Sequence, residues 1–462
     1  MPPRPGDTVD LDITTLAYGG QGVARLDEFV IFVRGAVPGD RVRARITKRK
    51  RSYAEARALE TLSPSPRRVA PRCRHSQECG GCEWQTLAYE AQLEFKQQQV
   101  VDSLQRLAHL EDYELEPIRG MDDPWRYRNK MEFSFGADEN GRLVLGLHKR
   151  GSWKEIVDVV DCELASERMN RARLAVAEAC RDLGLEPYSR EGDGGLLRHL
   201  VVREGLSSGD LLLNLFVAAR FPEEAELAAR VTTESGCTSF ALTVNESRAD
   251  AAVGDGPYML AGAPFLRERF AGIDLRVPAT AFLQTNSAMC EVLYATALRF
   301  AAPEPARPSV DLYCGIGSLS LPLARGSREV HAIEIQEEAI AAAGVNAELN
   351  GVENASFYAA DVRPLLRFPP HPVLDAERPD DADRPAVVVA DPPRAGLARK
   401  ALQRAASLGA DRFVYVSCNP TTLAGNAAEL AELGYRLEVV APVDMFPHTH
   451  HIETVALFRR AG

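Results

Sequence analysis

Val310-Asp311-Leu312-Tyr313-Cys314-Gly315-Ile316-Gly317-Ser318-Leu319-Ser320 is a short apolar run, a glycine turn and the start of a helix. This is how a doubly wound α/β unit opens, its glycines letting backbone approach a ligand closely. A lone G-x-G is a weak signal, but its surroundings strengthen it. Val330-His331-Ala332-Ile333-Glu334 reads as a second strand, ending in an acid nineteen residues after Gly315. An acid in that place binds ribose hydroxyls in such folds. No third glycine and no phosphate-binding chemistry follow, which argues for a nucleoside ligand rather than a dinucleotide.

Downstream the alternation continues. The expected elements are helix Glu337–Leu349, strand Ala355–Ala359 with Asp361, and strand Ala386–Ala390 with Asp391-Pro392-Pro393-Arg394. Helix Lys400–Ser407, strand Phe413–Val416, helix Leu423–Leu433 and strands Tyr435–Val440 and Thr454–Phe458 complete it. The fold class is α/β, in the layout of a class I S-adenosylmethionine (SAM) methyltransferase domain. The strand at Phe413 stops at Ser417-Cys418-Asn419-Pro420, because proline cannot continue a ladder. Cys418 therefore sits at the sheet edge where open α/β sheets bind ligands. On its own it reads as either a nucleophile or a small buried hydrophobe.

Upstream, residues 7–61 read as a small β module. Its alternating runs are separated by Tyr18-Gly19-Gly20-Gln21-Gly22 and Val37-Pro38-Gly39-Asp40. The spacing suggests a five-stranded barrel of oligonucleotide-binding type. Leu62-Ser63-Pro64-Ser65-Pro66 reads as a linker. Then comes Cys73-x5-Cys79-Gly80-Gly81-Cys82, three thiols within ten residues, which points to a metal or iron–sulfur site. Zinc usually takes two paired motifs, and there is no second C-x2-C. A four-cysteine cluster needs one more ligand, for which Cys162 is the leading candidate, while Cys180 and Cys237 sit in bland contexts. A polar helix over about Leu87–Leu107 is expected to pack across domains. Trp125-Arg126-Tyr127-Arg128 interleaves aromatics and cations, suiting either stacking on single-stranded RNA or a strand entrance with a snorkelling rim. Residues 141–278 read as a mixed α+β region without a catalytic constellation.

The 462 residues suggest roughly three parts: 1–62, 63–285 and 286–462. No apolar run approaches the roughly 18 residues of a membrane span, and Met1-Pro2-Pro3-Arg4-Pro5 is no signal peptide. A cytoplasmic location and a monomer are the expectations. Nine cysteines, an odd number, argue against a disulfide framework. Net charge is -11, yet Arg41 to Arg74 holds twelve Lys/Arg against Glu55 and Glu60, so the rest of the chain is more acidic still. Such asymmetry suggests either a basic patch for a polyanion or a solvated basic loop.

Four motifs in order carry a resemblance over nearly the whole chain. They are Asp311-Leu312-Tyr313-Cys314-Gly315-Ile316-Gly317, Asp391-Pro392-Pro393-Arg394-Ala395-Gly396, Ser417-Cys418-Asn419-Pro420, and Asp444-Met445-Phe446-Pro447-His448-Thr449-x-His451-x-Glu453. Together they resemble the RNA uracil-C5-methyltransferase family. Phe282-Leu283-Gln284-Thr285-Asn286 and the cysteine triplet match that family too. Ala17–Ala24 and Gly35–Asp40 look like its TRAM domain. The resemblance implies Cys418 as a nucleophile adding to uracil C6 and Glu453 as the base for the C5 proton. It implies SAM as methyl donor, with Gln284, Tyr313, Glu334 and Asp391 contacting SAM or uracil, and Ser318 and Asp361 at neighbouring cofactor-side positions. It also implies a [4Fe–4S] cluster on Cys73, Cys79, Cys82 and Cys162. Methylases of exocyclic amines place an aromatic residue where Arg394 stands, so they fit less well. His448 and His451 read as shaping a loop rather than holding metal. The expected substrate is 23S rRNA, matching the ribosomal-RNA members, with rRNA processing as the process. The alternatives are T-loop uridine of tRNA and a non-catalytic RNA- or ribosome-binding factor.

Overall fold

The computed structural model describes residues 3–189, 192, 194–248, 251–377 and 381–461. The N-terminal module comprises β1 (Thr8–Asp12), β2 (Thr15–Leu16), β3 (Gly22–Leu26), β4 (Phe29–Arg34), β5 (Arg41–Arg49) and β6 (Tyr53–Ser63). They form one sheet in the order β1-β5-β6-β4-β3-β2, six strands where five were expected, because the two-residue β2 adds a pairing too short to show as a sequence period. Strand β5 shows how the sequence builds both faces. Val42, Ala44 and Ile46 are buried in the module's core, while Arg41, Arg43 and Arg45 point outward. Its charge is partly met, since Arg43 pairs with Asp10 and Glu60.

Next come α1 (Tyr89–Ala108) and β7 (Glu114–Leu115). A second sheet follows, of β8 (Lys130–Ala137), β9 (Leu143–His148), β10 (Ile156–Val157), β11 (Leu197–Glu204), β12 (Leu211–Val217), β13 (Ser239–Val244) and β14 (Asp255–Ala261). Its order is β10-β9-β8-β11-β12-β13-β14, with α2 (Glu167–Asp182) and α3 (Glu224–Ser235) as its helices. Cys180 and Cys237 are buried in this unit's core.

A hairpin of β15 (Phe265–Phe270) and β16 (Ile273–Pro278) and the helix α4 (Ser287–Ala301) lead into the C-terminal sheet. There β17 (Ser309–Leu312), α5 (Ser320–Ala324), β18 (Val330–Glu334), α6 (Glu337–Leu349), β19 (Ala355–Ala359) and α7 (Val362–Leu365) run in sequence. They continue with β20 (Val387–Ala390), α8 (Arg399–Ser407), β21 (Arg412–Ser417), α9 (Pro420–Glu432), β22 (Tyr435–Val443) and β23 (Glu453–Arg460). The strand order is β19-β18-β17-β20-β21-β23-β22-β7, parallel from β19 to β21 and with β23 antiparallel to both its neighbours.

Two-residue periodicity loads both faces of this sheet. Val387, Val389, Val414 and Val416 pack with α4, α5 and α6; Val388, Ala390, Phe413 and Tyr415 pack with α1, α8 and α9. The result is a three-layer α/β sandwich.

The expected central part, 63–285, is composite in space. Helix α1 buries Val100, Leu104 and Ala108 in a layer of the C-terminal sheet, and β7 pairs with β22 at its edge. The hairpin β15–β16 likewise contributes Phe270, Ile273 and Leu275 to that domain's core. The reason is apolar burial: those side chains complete the sandwich's outer layers.

Candidate active site and cysteine cavity

The strand order reverses at β17 and β20, so a ligand crevice opens beyond their carboxyl ends. Tyr313 is the first residue past β17, in the left-handed region at φ +68°, its N–H donating 2.8 Å to the Ile333 carbonyl. The Gly315 N–H donates 3.3 Å to Glu334 Oε2, while Glu334 Oε1 accepts from the Gln336 N–H at 3.0 Å. The carboxylate is thus held between the glycine turn and the start of α6. A Cβ built on Gly315 meets nothing within 4 Å, so the turn faces open space. Ile335, beside Glu334, is 62% exposed.

Asp391 directly follows β20, across the reversal from β17, and is hydrogen-bonded to the buried Gln284; burial pushes its carboxyl up to about 7. Ser318 and Asp361 are more occupied. Ser318 Oγ lies 3.0 Å from the Tyr294 hydroxyl inside the domain. Asp361 caps α7 and pairs with Arg363 at 2.7 Å, which holds its carboxyl below its ordinary value.

Cys418 lies in the stretch Ser417–Pro420 that joins β21 to α9, and its neighbours there each have a mechanical reason. Ser417 Oγ accepts from the Asn419 N–H and donates to the Asn419 carbonyl. Asn419 Oδ1 caps α9 by accepting from the Thr421 N–H at 3.0 Å, and Pro420 takes the first helical position. Asn419 Nδ2 also reaches the Arg394 carbonyl, joining this bridge to the Asp391–Gly396 loop. That loop needs its glycine: Gly396 has φ +75°, and a Cβ there would lie 2.7 Å from Asn426 Oδ1.

The placement of Glu453 follows from strand register. Ser417 faces Thr454 as the last pair of the antiparallel β21–β23 register, so Cys418 and Glu453 adjoin its end, and the Glu453 charge acts on the Cys418 thiol. Glu453 is 3% exposed, and its Oε2 has no hydrogen-bond partner. Burial and the nearby Asp391 push its carboxyl well above the usual range, while Arg394 pulls it down. Cys418 is half-buried, and burial, Glu453 and Asp391 push its thiol up to about 11. Arg394 acts the other way, by charge and by a hydrogen bond to the sulfur, and the N-terminus of α9 adds a favourable dipole.

Arg394, His451 and Tyr18, to which the sequence motifs gave no catalytic role, also enter this site. Arg394 Nη2 lies 2.6 Å from His451 Nδ1, whose ring stays neutral because burial and the adjacent cations push it down to about 3. Tyr18, from the β2–β3 turn of the N-terminal module, feels the charges of Arg394, Cys418 and Glu453. The glycines around Tyr18 signal only a turn; its distant placement leaves no local mark. His448 serves the loop: its ring stacks on Trp125 at 3.9 Å and its N–H donates 2.9 Å to Gln92 Oε1.

The four cysteines expected to share a site do converge. Cys73, Cys79, Cys82 and Cys162 line one cavity of about 170 Å³, together with His75, Gln85 and Arg128. None is in a disulfide. Burial pushes Cys82 up to about 12 and raises Cys79 and Cys162 as protein alone; a bound cation would oppose that by favouring thiolates. Arg150 Nη2 donates to the carbonyls of Ser76, Cys79 and Cys82, tying the loop around the cavity. Separately, Glu329, His331 and His371 bring donor atoms within 4.8 Å of one another at the other end of β18 from Glu334.

Residues 271–461 match the tRNA (Uracil-5-)-methyltransferase family, and residues 3–59 match the TRAM domain. An uncharacterized RNA methyltransferase of Chlorobaculum tepidum is 37% identical, covering 99% of this chain and 97% of its own length. One from Halalkalibacterium halodurans is 36% identical over 99% and 98%. Among solved structures, the Pyrococcus abyssi tRNA (uracil-54, C5)-methyltransferase in complex with S-adenosyl-L-homocysteine aligns at a TM-score of 0.77 with 28% identity. That alignment covers 97% of this chain and 99% of that one.

Proposed function

The chain belongs to the RNA (uracil-5-)-methyltransferase family and is a SAM-dependent enzyme of it, and from that premise we propose that it makes 5-methyluridine through a covalent adduct between Cys418 and C6 of the target uracil. The observation that carries this is that Cys418 and Glu453 adjoin the last pair, Ser417 and Thr454, of β21 and β23, with the Glu453 charge acting on the Cys418 thiol. Uracil C5 is too poor a nucleophile to take a methyl group from a sulfonium. Addition of the Cys418 thiolate at C6 makes an enolate with carbanion character at C5. SAM supplies the methyl group. Glu453 then accepts the C5 proton, and the thiolate leaves C6 as the ring double bond reforms. A buried carboxylate with a raised pKa is a stronger base than an exposed one, which suits that step.

In this reading Glu334 holds the SAM ribose, Ile335 gives the adenine an apolar cover, and Tyr313 packs against the nucleoside. Gln284 and Asp391 form a polar pair able to read an edge of the base or the cofactor. Ser318 and Asp361 shape the cofactor side rather than reach into it, because both already hold internal partners. The exposed Phe282, two residues before Gln284, offers a ring on which a neighbouring base can stack. The target base reaches Cys418 by leaving its stack.

Cys73, Cys79, Cys82 and Cys162 would hold a [4Fe–4S] cluster, supported by their convergence on one cavity of four thiols. Methyl transfer moves no net electron, so its role is to hold the surrounding loops. The outward arginines of β5 give the RNA a basic face, and no helix among the described residues is long and apolar enough to cross a membrane. The chain is read as a cytoplasmic monomer. The barrel and cysteine quartet together favour 23S rRNA, while the substrate of the P. abyssi enzyme favours tRNA.

Incubation with methyl-labelled SAM and each RNA, followed by digestion to nucleosides, tests both parts. Labelled 5-methyluridine is expected, preferentially from 23S rRNA. Its absence from both RNAs would remove the activity, and a preference for tRNA would reverse the substrate choice. Cys418→Ala should form no product and no adduct with 5-fluorouridine RNA; an active variant would refute the nucleophile.

A further inference from the structure

The turn between β2 and β3 reaches out of the N-terminal module into the catalytic loop. It is closed by the Ala17 N–H donating to the Gln21 carbonyl at 2.9 Å and the Gly20 N–H donating to the Ala17 carbonyl at 3.0 Å. Gln99 of α1 donates to the Ala17 carbonyl at 3.3 Å, and Leu16 packs in one cluster with Trp84, Leu87 and Ala91. A Cβ on Gly20 would lie 3.0 Å from Glu83 Oε2 and 3.2 Å from His450 Cβ, so the turn approaches as closely as a glycine allows. Its tip is therefore docked rather than dangling.

Tyr18 stands on that tip. Its ring meets His450 edge-on, with centroids 6.3 Å apart at 87°. The His450 ring lies 4.1 Å from that of His451, which bonds Arg394, which in turn bonds Cys418. Tyr18 is half-buried, yet its hydroxyl has no hydrogen-bond partner among the described residues. Burial raises its pKa, keeping the proton on the oxygen at neutral pH. An unused neutral donor within electrostatic reach of the nucleophile and the base has an obvious recipient. A flipped uracil brings two carbonyl oxygens that lose water on entry, and thiolate addition at C6 builds negative charge on O4.

We propose that Tyr18 is a substrate-contacting residue of the uracil site, donating its hydroxyl to a carbonyl oxygen of the base, so that the N-terminal barrel completes the catalytic pocket. This rests on the uracil-C5 reading of Cys418 and Glu453. The barrel then has a chemical role besides its basic face.

The test uses the full-length chain and its Tyr18→Phe and Tyr18→Ala variants, with RNA carrying 5-fluorouridine at the target and with SAM, both saturating. Adduct formation is timed in a single turnover, beside RNA affinity, S-adenosylhomocysteine affinity and melting temperature. Tyr18→Phe should slow adduct formation by about tenfold or more, consistent with loss of one donor to a developing oxyanion. RNA affinity should stay within about twofold, as a single neutral contact among many charged ones predicts. Adducts forming in Tyr18→Phe at the wild-type rate, or an effect confined to RNA affinity, would overturn the proposal. Wild-type protein that forms no adduct would bring down the underlying uracil reading instead, and this one with it.

Discussion

Arg394 favours the ionised form of the proposed nucleophile Cys418, against burial, Glu453 and Asp391. With the thiol near 11, only a small thiolate fraction exists at neutral pH, and that fraction grows about tenfold per pH unit below the pKa. Adduct formation by the wild type should therefore accelerate between pH 6 and 9. Arg394→Gln should slow it further, with activity partly regained at higher pH. A flat profile, or an Arg394→Gln defect that pH does not relieve, would separate Arg394 from thiol ionisation. Glu453→Gln should form the methylated adduct but release it slowly, so that denatured gels show protein retained on labelled RNA; normal release would assign the proton elsewhere. Cys418 and Glu453 could be named as candidates from the sequence because each lies in a local motif. Arg394 was legible only as a departure from an aromatic position, since its partners His451 and Cys418 are supplied by other segments.

Among the elements, the cysteine loop and the loop between β22 and β23 are joined by backbone hydrogen bonds. The N–H groups of Glu83 and Trp84, just after Cys82, both donate 3.0 Å to the His448 carbonyl, and the Tyr127 hydroxyl donates to the Pro447 carbonyl. Under the proposed cluster, removing iron by chelation, or substituting Cys82→Ser, should thus raise amide hydrogen exchange at 446–451 as well as around 73–85. Exchange that rises only around the cysteines would uncouple the two loops. The regular elements of 309–458 were readable because apolar runs and glycine turns alternate there, and helix Glu337–Leu349 and strand Ala355–Ala359 match residue for residue. Helix α4 was not read, although Asn286 caps it and Met289, Cys290, Leu293, Tyr294 and Ala297 mark one buried face at helical spacing. The two-residue β7 could not be read at all, because its strand character comes from its partner Val439–Val440 in β22.

Across the whole molecule, Lys96 and Asp444 form an ion pair at 2.6 Å with both side chains fully buried, and Lys96 also donates to the Phe446 carbonyl. It ties α1 to the end of β22, directly before the catalytic loop. Burial lowers the Lys96 pKa and Asp444 raises it. Lys96→Met would leave a buried carboxylate unpaired, a loss of about 3–5 kcal/mol in unfolding stability. Urea denaturation with an unchanged midpoint would contradict this. Broad class, the basic stretch and the nucleoside crevice could be read from composition and order. The composite middle could not, because which sheet a segment joins is decided by apolar surface contributed hundreds of residues away.

That distance sets a clock. Lys96 and Asp444 are 348 residues apart, and the ribosome adds roughly 5–20 residues per second, so the lysine waits on the order of 20–70 s for its partner. For most of that interval α1 carries an apolar face whose covering helix, α9, has not been made. A chain that stops before residue 420 releases a product in which this face lacks α9 and is left partly uncovered, the kind of surface that chaperones hold and proteases remove.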